Sequence, residues 1–94
     1  MSVTVRIPGA LRSYTAGEGN VTVPAKTVGE ALGRVTERYP DLRPHLYDDD
    51  GKLRNFVNAY LNEDDVREKG GVETPVSDGD TVVIVPSIAG GQAG

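Results

Sequence analysis

Ninety-four residues carrying 14 Asp and Glu, 10 Lys and Arg and a formal net charge of -4 describe one small acidic domain, large enough to fold around a single core without disulfides or a structural metal. The chain has no cysteine, which excludes a disulfide framework, a thiolate metal site and a cysteine nucleophile. The acidic balance, with no basic stripe, argues against nucleic acid as a partner. The lack of a basic n-region or a long apolar run leads us to expect a cytoplasmic protein with no membrane attachment.

The first element is "VTVRI", in which Val3, Val5 and Ile7 share one face and Thr4 and Arg6 the other, the period of a half-buried strand. Pro8-Gly9 ends it, and after a loop carrying Leu11 and Tyr14 the segment "NVTV" (residues 20–23) reads as a second strand, hairpin-paired with the first. Thr27 is placed as an N-cap, with Glu30 three residues on to complete a capping box. Val28, Ala31, Leu32, Val35 and Tyr39 then recur at helical spacing, so residues 28–39 form one amphipathic helix stopped by Pro40. Gly29 and Gly33 each weaken that helix by up to about 1 kcal/mol relative to Ala, and their lack of side chains points to close packing on a sheet.

A loop with a turn of helix around residues 42–46 follows. "NFVNAYLN" (residues 55–62) alternates again, with Val57, Ala59 and Leu61 on one side and Phe56, Asn58 and Tyr60 on the other. "EDDVREKGG" is read as a turn, residues 72–76 as a short irregular segment broken by Pro75, and "SDGD" (residues 77–80) as a strong turn signal. The last strand, "TVVIVP", is the most apolar in the chain, the mark of a strand that is central or covered on both faces. The order strand, strand, helix, strand, short segment, strand predicts an α+β fold of β-grasp type. In it a mixed sheet of four to five strands is crossed by one main helix, with the first and last strands parallel at its centre. Residues 1–86 are assigned to this domain and residues 87–94, "SIAGGQAG", to a flexible tail with a Gly-Gly pair and a three-residue extension.

"VTVRIPGALRSYT" at the start, "FVNAYLNEDDVR" with "GG" shortly after, and "SDGDTVVIVPSIAGG" at the end together resemble the ubiquitin-like sulfur carriers of the ThiS/MoaD family, nearest to its CysO-type branch. The resemblance spans nearly the whole chain. It implies a protein that catalyses nothing itself and binds no cofactor. An E1-like adenylating and sulfurating enzyme consumes ATP to activate the carboxyl of the second glycine, here Gly91 beside Gly90, and a sulfur donor turns it into a thiocarboxylate. For the CysO type it further implies a cysteine synthase-like enzyme dependent on pyridoxal phosphate and a zinc-dependent JAMM-type protease, which releases the new cysteine. Sulfur supply to thiamin, molybdopterin or a natural product is the alternative within the class, and covalent attachment to other proteins the alternative outside it. A third is a plain interaction module with an inert tail.

Glycine suits both tail positions, because an end that threads a narrow channel must adopt backbone angles that a Cβ forbids. Residues 87–91 span at most about 16 to 18 Å, and ordering them costs on the order of 5 to 10 kcal/mol of backbone entropy, so the body must dock as well. If Val82 and Ile84 face the helix, then Val83 and Val85 lie outside near Phe56 and Tyr60, and these four with Ile88 make the candidate docking surface. The alternative, that the four are core, stays open, because a fully apolar strand has no readable parity. A free carboxylate on Gly91 requires hydrolysis between Gly91 and Gln92, and we read Gln92-Ala93-Gly94 as a processed extension, or else as residues that are simply tolerated.

Other motifs carry less. Aligning "DDDG" (residues 48–51) with a calcium loop puts Leu46 and Val57 at the first and last ligand positions, so it is a solvated turn. His45 has no cysteine to join in a zinc site. "GEGN" (residues 17–20) precedes a strand, not the helix of a dinucleotide fingerprint. Asn20-Val21-Thr22 matches a glycosylation sequon with nothing to route the chain to it. Glu63-Asp64-Asp65 is read as a solvated turn, with steering toward basic partners as the lesser reading. No spacing of serine, threonine and histidine suggests a triad.

Overall fold

The computed structural model describes residues 1–54 and 57–86. Alternating valines make β1 (Ser2–Arg6) and β2 (Asn20–Pro24), which pair antiparallel from Ser2↔Pro24 to Arg6↔Asn20. Their connection is not a tight hairpin but a 3-10 turn over Gly9–Thr15, closed by left-handed backbone at Ala16 and Gly17. The fully buried Thr15 stabilises it by donating its hydroxyl to the Glu18 carbonyl at 2.8 Å.

Helix α1 (Val28–Arg38) starts at Thr27, whose Oγ1 accepts the Glu30 amide at 3.1 Å. The reciprocal arm differs from a simple capping box: Glu30 Oε1 accepts the amide of Lys26, one residue before the cap. Replacing Thr27 with Ala leaves the Glu30 amide without its acceptor and is expected to cost about 1 kcal/mol, read as a drop of about 4 to 8 °C in melting temperature for a domain of this size. Val28, Ala31, Leu32 and Val35 are buried against the sheet. The two helical glycines do not line that contact. A Cβ on Gly29 would meet the Val72 carbonyl oxygen at 3.0 Å, in the 3-10 turn Gly71–Glu73, and at Gly33 it would meet nothing within 4 Å. Gly29 thus admits a loop, while nothing in the structure explains Gly33.

A 3-10 turn (Pro40–Leu42) and the short helix α2 (Arg43–Leu46) bury Leu42 and Leu46 completely. Strand β3 (Val57–Leu61) returns across the sheet, and the first two residues of the expected strand, Asn55 and Phe56, lie outside the described residues. Asp64 and Asp65 are not the solvated turn expected of them. They form a two-residue edge strand, β4 (Asp64–Asp65), paired with Leu61 and Tyr60 after a left-handed Asn62 reverses the chain. A pair of residues is too short to show strand periodicity.

Strand β5 (Thr81–Pro86) sits in the middle of the order β2-β1-β5-β3-β4, parallel to β1 and antiparallel to β3. The "SDGD" turn fixes its start. Gly79, at φ +87°, donates to the Ser2 carbonyl at 2.8 Å, Asp78 accepts the Ser2 amide at 2.8 Å, and Asp80 accepts the Ser77 amide at 2.8 Å. One turn therefore sets the β1–β5 register, which places Arg6, the last residue of β1, level with Val83 and lets β5 run three residues further.

Candidate functional site

Register decides what the apolar pattern of β5 could not. Val82 and Ile84 are 0% and 2% exposed and join the helix-side core, whereas Val83 is half-buried and Val85 is 37% exposed. Opposite them on β3 stand Tyr60, paired with Val83, and Asn58, paired with Val85; on β1, Arg6 is level with Val83. Tyr60, Val83 and Val85 therefore share the sheet face away from α1, as the docking reading requires. β5 is the central strand of the sheet, and among the described residues its outer face stays partly exposed at Val83 and Val85.

Of the remaining candidates, Phe56, Ile88, Gly90, Gly91 and Gln92 lie outside the described residues. β5 ends at Pro86, the last described residue, one position beyond Val85.

Asn58, expected on the outer face, is 8% exposed because the edge segment folds over it. Its Nδ2 donates to Asp65 at 3.0 Å, and Asp65 also accepts the Arg67 amide at 2.9 Å, capping the 3-10 turn Val66–Glu68. The Arg67 amide, ahead of the Asn58 and Arg67 side chains and against a smaller desolvation effect, holds the Asp65 carboxyl below the ordinary carboxylate range. Asp65 is therefore a structural junction between β3 and the turn that follows β4.

Sequence reasoning missed the two cations beside the last residues of β5. Arg6 and Arg12 line a shallow hollow of about 340 Å³ with Ile7, Pro8, Val83 and Pro86. Arg6 was readable as outward-facing from strand parity. Arg12 was not, since it reaches the hollow only because its Nε donates to the Ile7 carbonyl at 3.0 Å across the 3-10 turn.

The motifs set aside have structural roles. His45 stacks on Tyr14 with ring centroids 3.9 Å apart, tying the first 3-10 turn to α2. Asp48 accepts the Lys52 and Asp50 amides, the first of which leads in lowering its pKa, so the acidic loop is a turn closed on itself. Among the described residues no cluster of His, Cys, Asp or Glu is placed to hold a metal ion, and no helix is long and apolar enough to cross a membrane.

The ThiS family model matches residues 5–91, all but a few residues of the chain. The chain belongs to the ThiS family. Among its relatives, the sulfur carrier protein CysO of Mycobacterium tuberculosis is 42% identical over 93 residues, covering 97% of this chain and all of that one. A chain of the BexX/CysO complex of Amycolatopsis orientalis superposes with a TM-score of 0.84 at 44% identity, covering 95% and 99% of the two chains. Small archaeal modifier protein 3 of Haloferax volcanii is 35% identical over 65 residues, covering 69% of this chain and 70% of the relative. The ubiquitin-like β-grasp fold of this ThiS family member is thereby established: a five-stranded mixed sheet with one helix across it.

Proposed function

We propose that the chain is a sulfur carrier whose Gly91 carboxyl is the acceptor, serving cysteine biosynthesis. The observation that carries this reading is the extent of the family match, which runs through the Gly90-Gly91 pair and stops at residue 91, leaving Gln92, Ala93 and Gly94 beyond it. Hydrolysis of the Gly91–Gln92 peptide bond, by a JAMM-type metalloprotease, frees the carboxylate. A carboxylate oxygen then attacks the α-phosphorus of ATP on an E1-like enzyme and pyrophosphate leaves. Sulfur from a sulfide-level donor attacks the acyl carbon, AMP departs, and Gly91 ends in a thiocarboxylate.

On a cysteine synthase-like enzyme, that anionic sulfur nucleophile forms a bond to the β-carbon of an activated serine-type substrate, whose esterified β-oxygen departs as phosphate or carboxylate. A shift of the acyl group from sulfur to the amine leaves cysteine attached through a peptide bond, and hydrolysis releases it. The carrier contributes a reactive end and a docking face, and its partners contribute catalysis. Chain ending at Gly91, mixed with the activating enzyme, ATP and sulfide, is expected to gain the mass difference between sulfur and oxygen. A carboxyl terminus unchanged in mass would overturn the reading.

The likeness to an archaeal modifier protein favours one second reading, in which activated Gly91 is joined to lysines of other proteins. Cell extracts separate the two. Labelling of the mature tail by a thiocarboxylate-specific reagent supports the carrier, and Gly-Gly remnants on lysines of high-mass conjugates support the modifier.

A further inference from the structure

We infer that Arg6 and Arg12 form a cationic collar at the root of the tail that docks carboxylates at the mouth of the activating enzyme's channel. The inference rests on the sulfur-carrier reading and adds to it the chemistry of the partner's rim. Both side chains are exposed, both line the hollow beside Val83, Val85 and Pro86, and both stand out in a chain of net charge -4. Among the described residues neither forms an ion pair, although Arg34, Arg67 and Lys69 each do. Among the described residues the guanidinium of Arg12 is bonded through Nε alone, to the Ile7 carbonyl, which leaves its terminal nitrogens to meet an anion. Guanidinium groups favour carboxylate and phosphate through paired donors.

Reach selects between those anions. The collar lines the hollow that Pro86 closes, and Gly91 is the fifth residue after Pro86, so an extended tail places the reacting carboxyl about 16 to 18 Å away. Nucleotide phosphates bound at that carboxyl are beyond an arginine side chain, and what faces the collar is the protein surface around the channel entrance. The tail's own terminal carboxylate is the weaker occupant, since a single exposed ion pair is worth less than the entropy of folding the tail back. The apolar strip of Val83 and Val85 continues into the hollow, so one surface offers apolar contact and a charged rim together.

The test uses trimmed carrier and its activating enzyme, with pyrophosphate exchange read at low and moderate salt. Arg6→Glu is expected to raise the KM for the carrier about tenfold at low salt with kcat unchanged and to flatten the salt dependence of KM, while Arg6→Lys restores most of both. An unchanged KM and salt dependence in Arg6→Glu, with melting temperature preserved, overturns the collar. If trimmed wild-type chain is not adenylated at all, the sulfur-carrier reading fails, and the collar is then judged by amide shifts on titration with a hexaglutamate peptide. Saturable shifts at Arg6, Ile7 and Val85 that vanish in Arg6→Glu uphold it, and shifts absent or spread over the surface overturn it.

Discussion

Full-length chain, incubated with ATP and the activating enzyme, is expected to show pyrophosphate exchange no higher than a control without carrier, whereas chain ending at Gly91 exchanges readily. The reason is covalent. In the full-length chain the Gly91 carbonyl is committed to the amide of Gln92, and a neutral peptide oxygen offers no carboxylate to attack phosphorus. In a chain that ends at Gly94, the free carboxylate of the tail lies three residues further along. A channel matched to a shorter tail would have to admit Gln92 and Ala93, whose side chains meet the steric limit that Gly90 and Gly91 avoid. Because the body docks at a fixed place, the extra residues also carry the terminal carboxylate up to about 10 Å past the reacting position, and misplacement by a tenth of that distance is enough to cost orders of magnitude in rate. The effect is therefore expected to exceed a thousandfold in kcat/KM, and treatment with a JAMM-type protease should abolish it while removing the mass of Gln-Ala-Gly. Equal exchange by trimmed and untrimmed chain would place the reactive end at Gly94 and remove the precursor from the proposal.

The parts of the fold that were readable in advance are those in which one physical signal repeats over several residues. Val3, Val5, Val21 and Val23 announce their strands by alternation, and Thr27 with Glu30 announces a helix start by donor and acceptor chemistry at fixed spacing. The misses are short or relational. Strand β4 is two residues long, so no period exists to detect; the turn Val66–Glu68 is capped by an Asp65 that Asn58 holds, and the turn Gly71–Glu73 lies against Gly29, relations that no local pattern shows. The candidate site divides the same way. Its proposed reactive end, Gly-Gly after an apolar strand and a proline, lies outside the described residues, and its apolar face was legible as a set of residues but not as a direction. The choice between Val82 with Ile84 and Val83 with Val85 comes from register against β1 and β3. The arginine collar needed the tertiary fold outright, since Arg6 and Arg12 line one hollow only because the chain turns back through Pro8 and the 3-10 turn.

Adjacent residues of β5 should give opposite results when each is replaced by asparagine. Ile84→Asn puts an amide into a core where the native side chain is 2% exposed. The loss of aliphatic packing costs about 2 to 5 kcal/mol and a poorly bonded amide adds about 1 to 3 kcal/mol, together a large part of the 5 to 15 kcal/mol, roughly, by which a domain is stable. Thermal melts should show a chain largely unfolded at 37 °C. Val85→Asn alters a side chain that already meets solvent, so stability should shift by less than about 1 kcal/mol and the fold should survive. Its effect appears on docking, where burying a valine at an interface is worth about 1.5 kcal/mol or more, so the KM for the activating enzyme should rise about tenfold or more with kcat little changed. Asparagine is chosen over aspartate because it adds no charge for Arg6 and Arg12 to pair with, which keeps the apolar contribution separate from the collar. A Val85→Asn chain that unfolds would mean the outer face is core in the folded protein. A folded Val85→Asn chain with unchanged KM would mean that the partner reads the tail and the collar without the sheet.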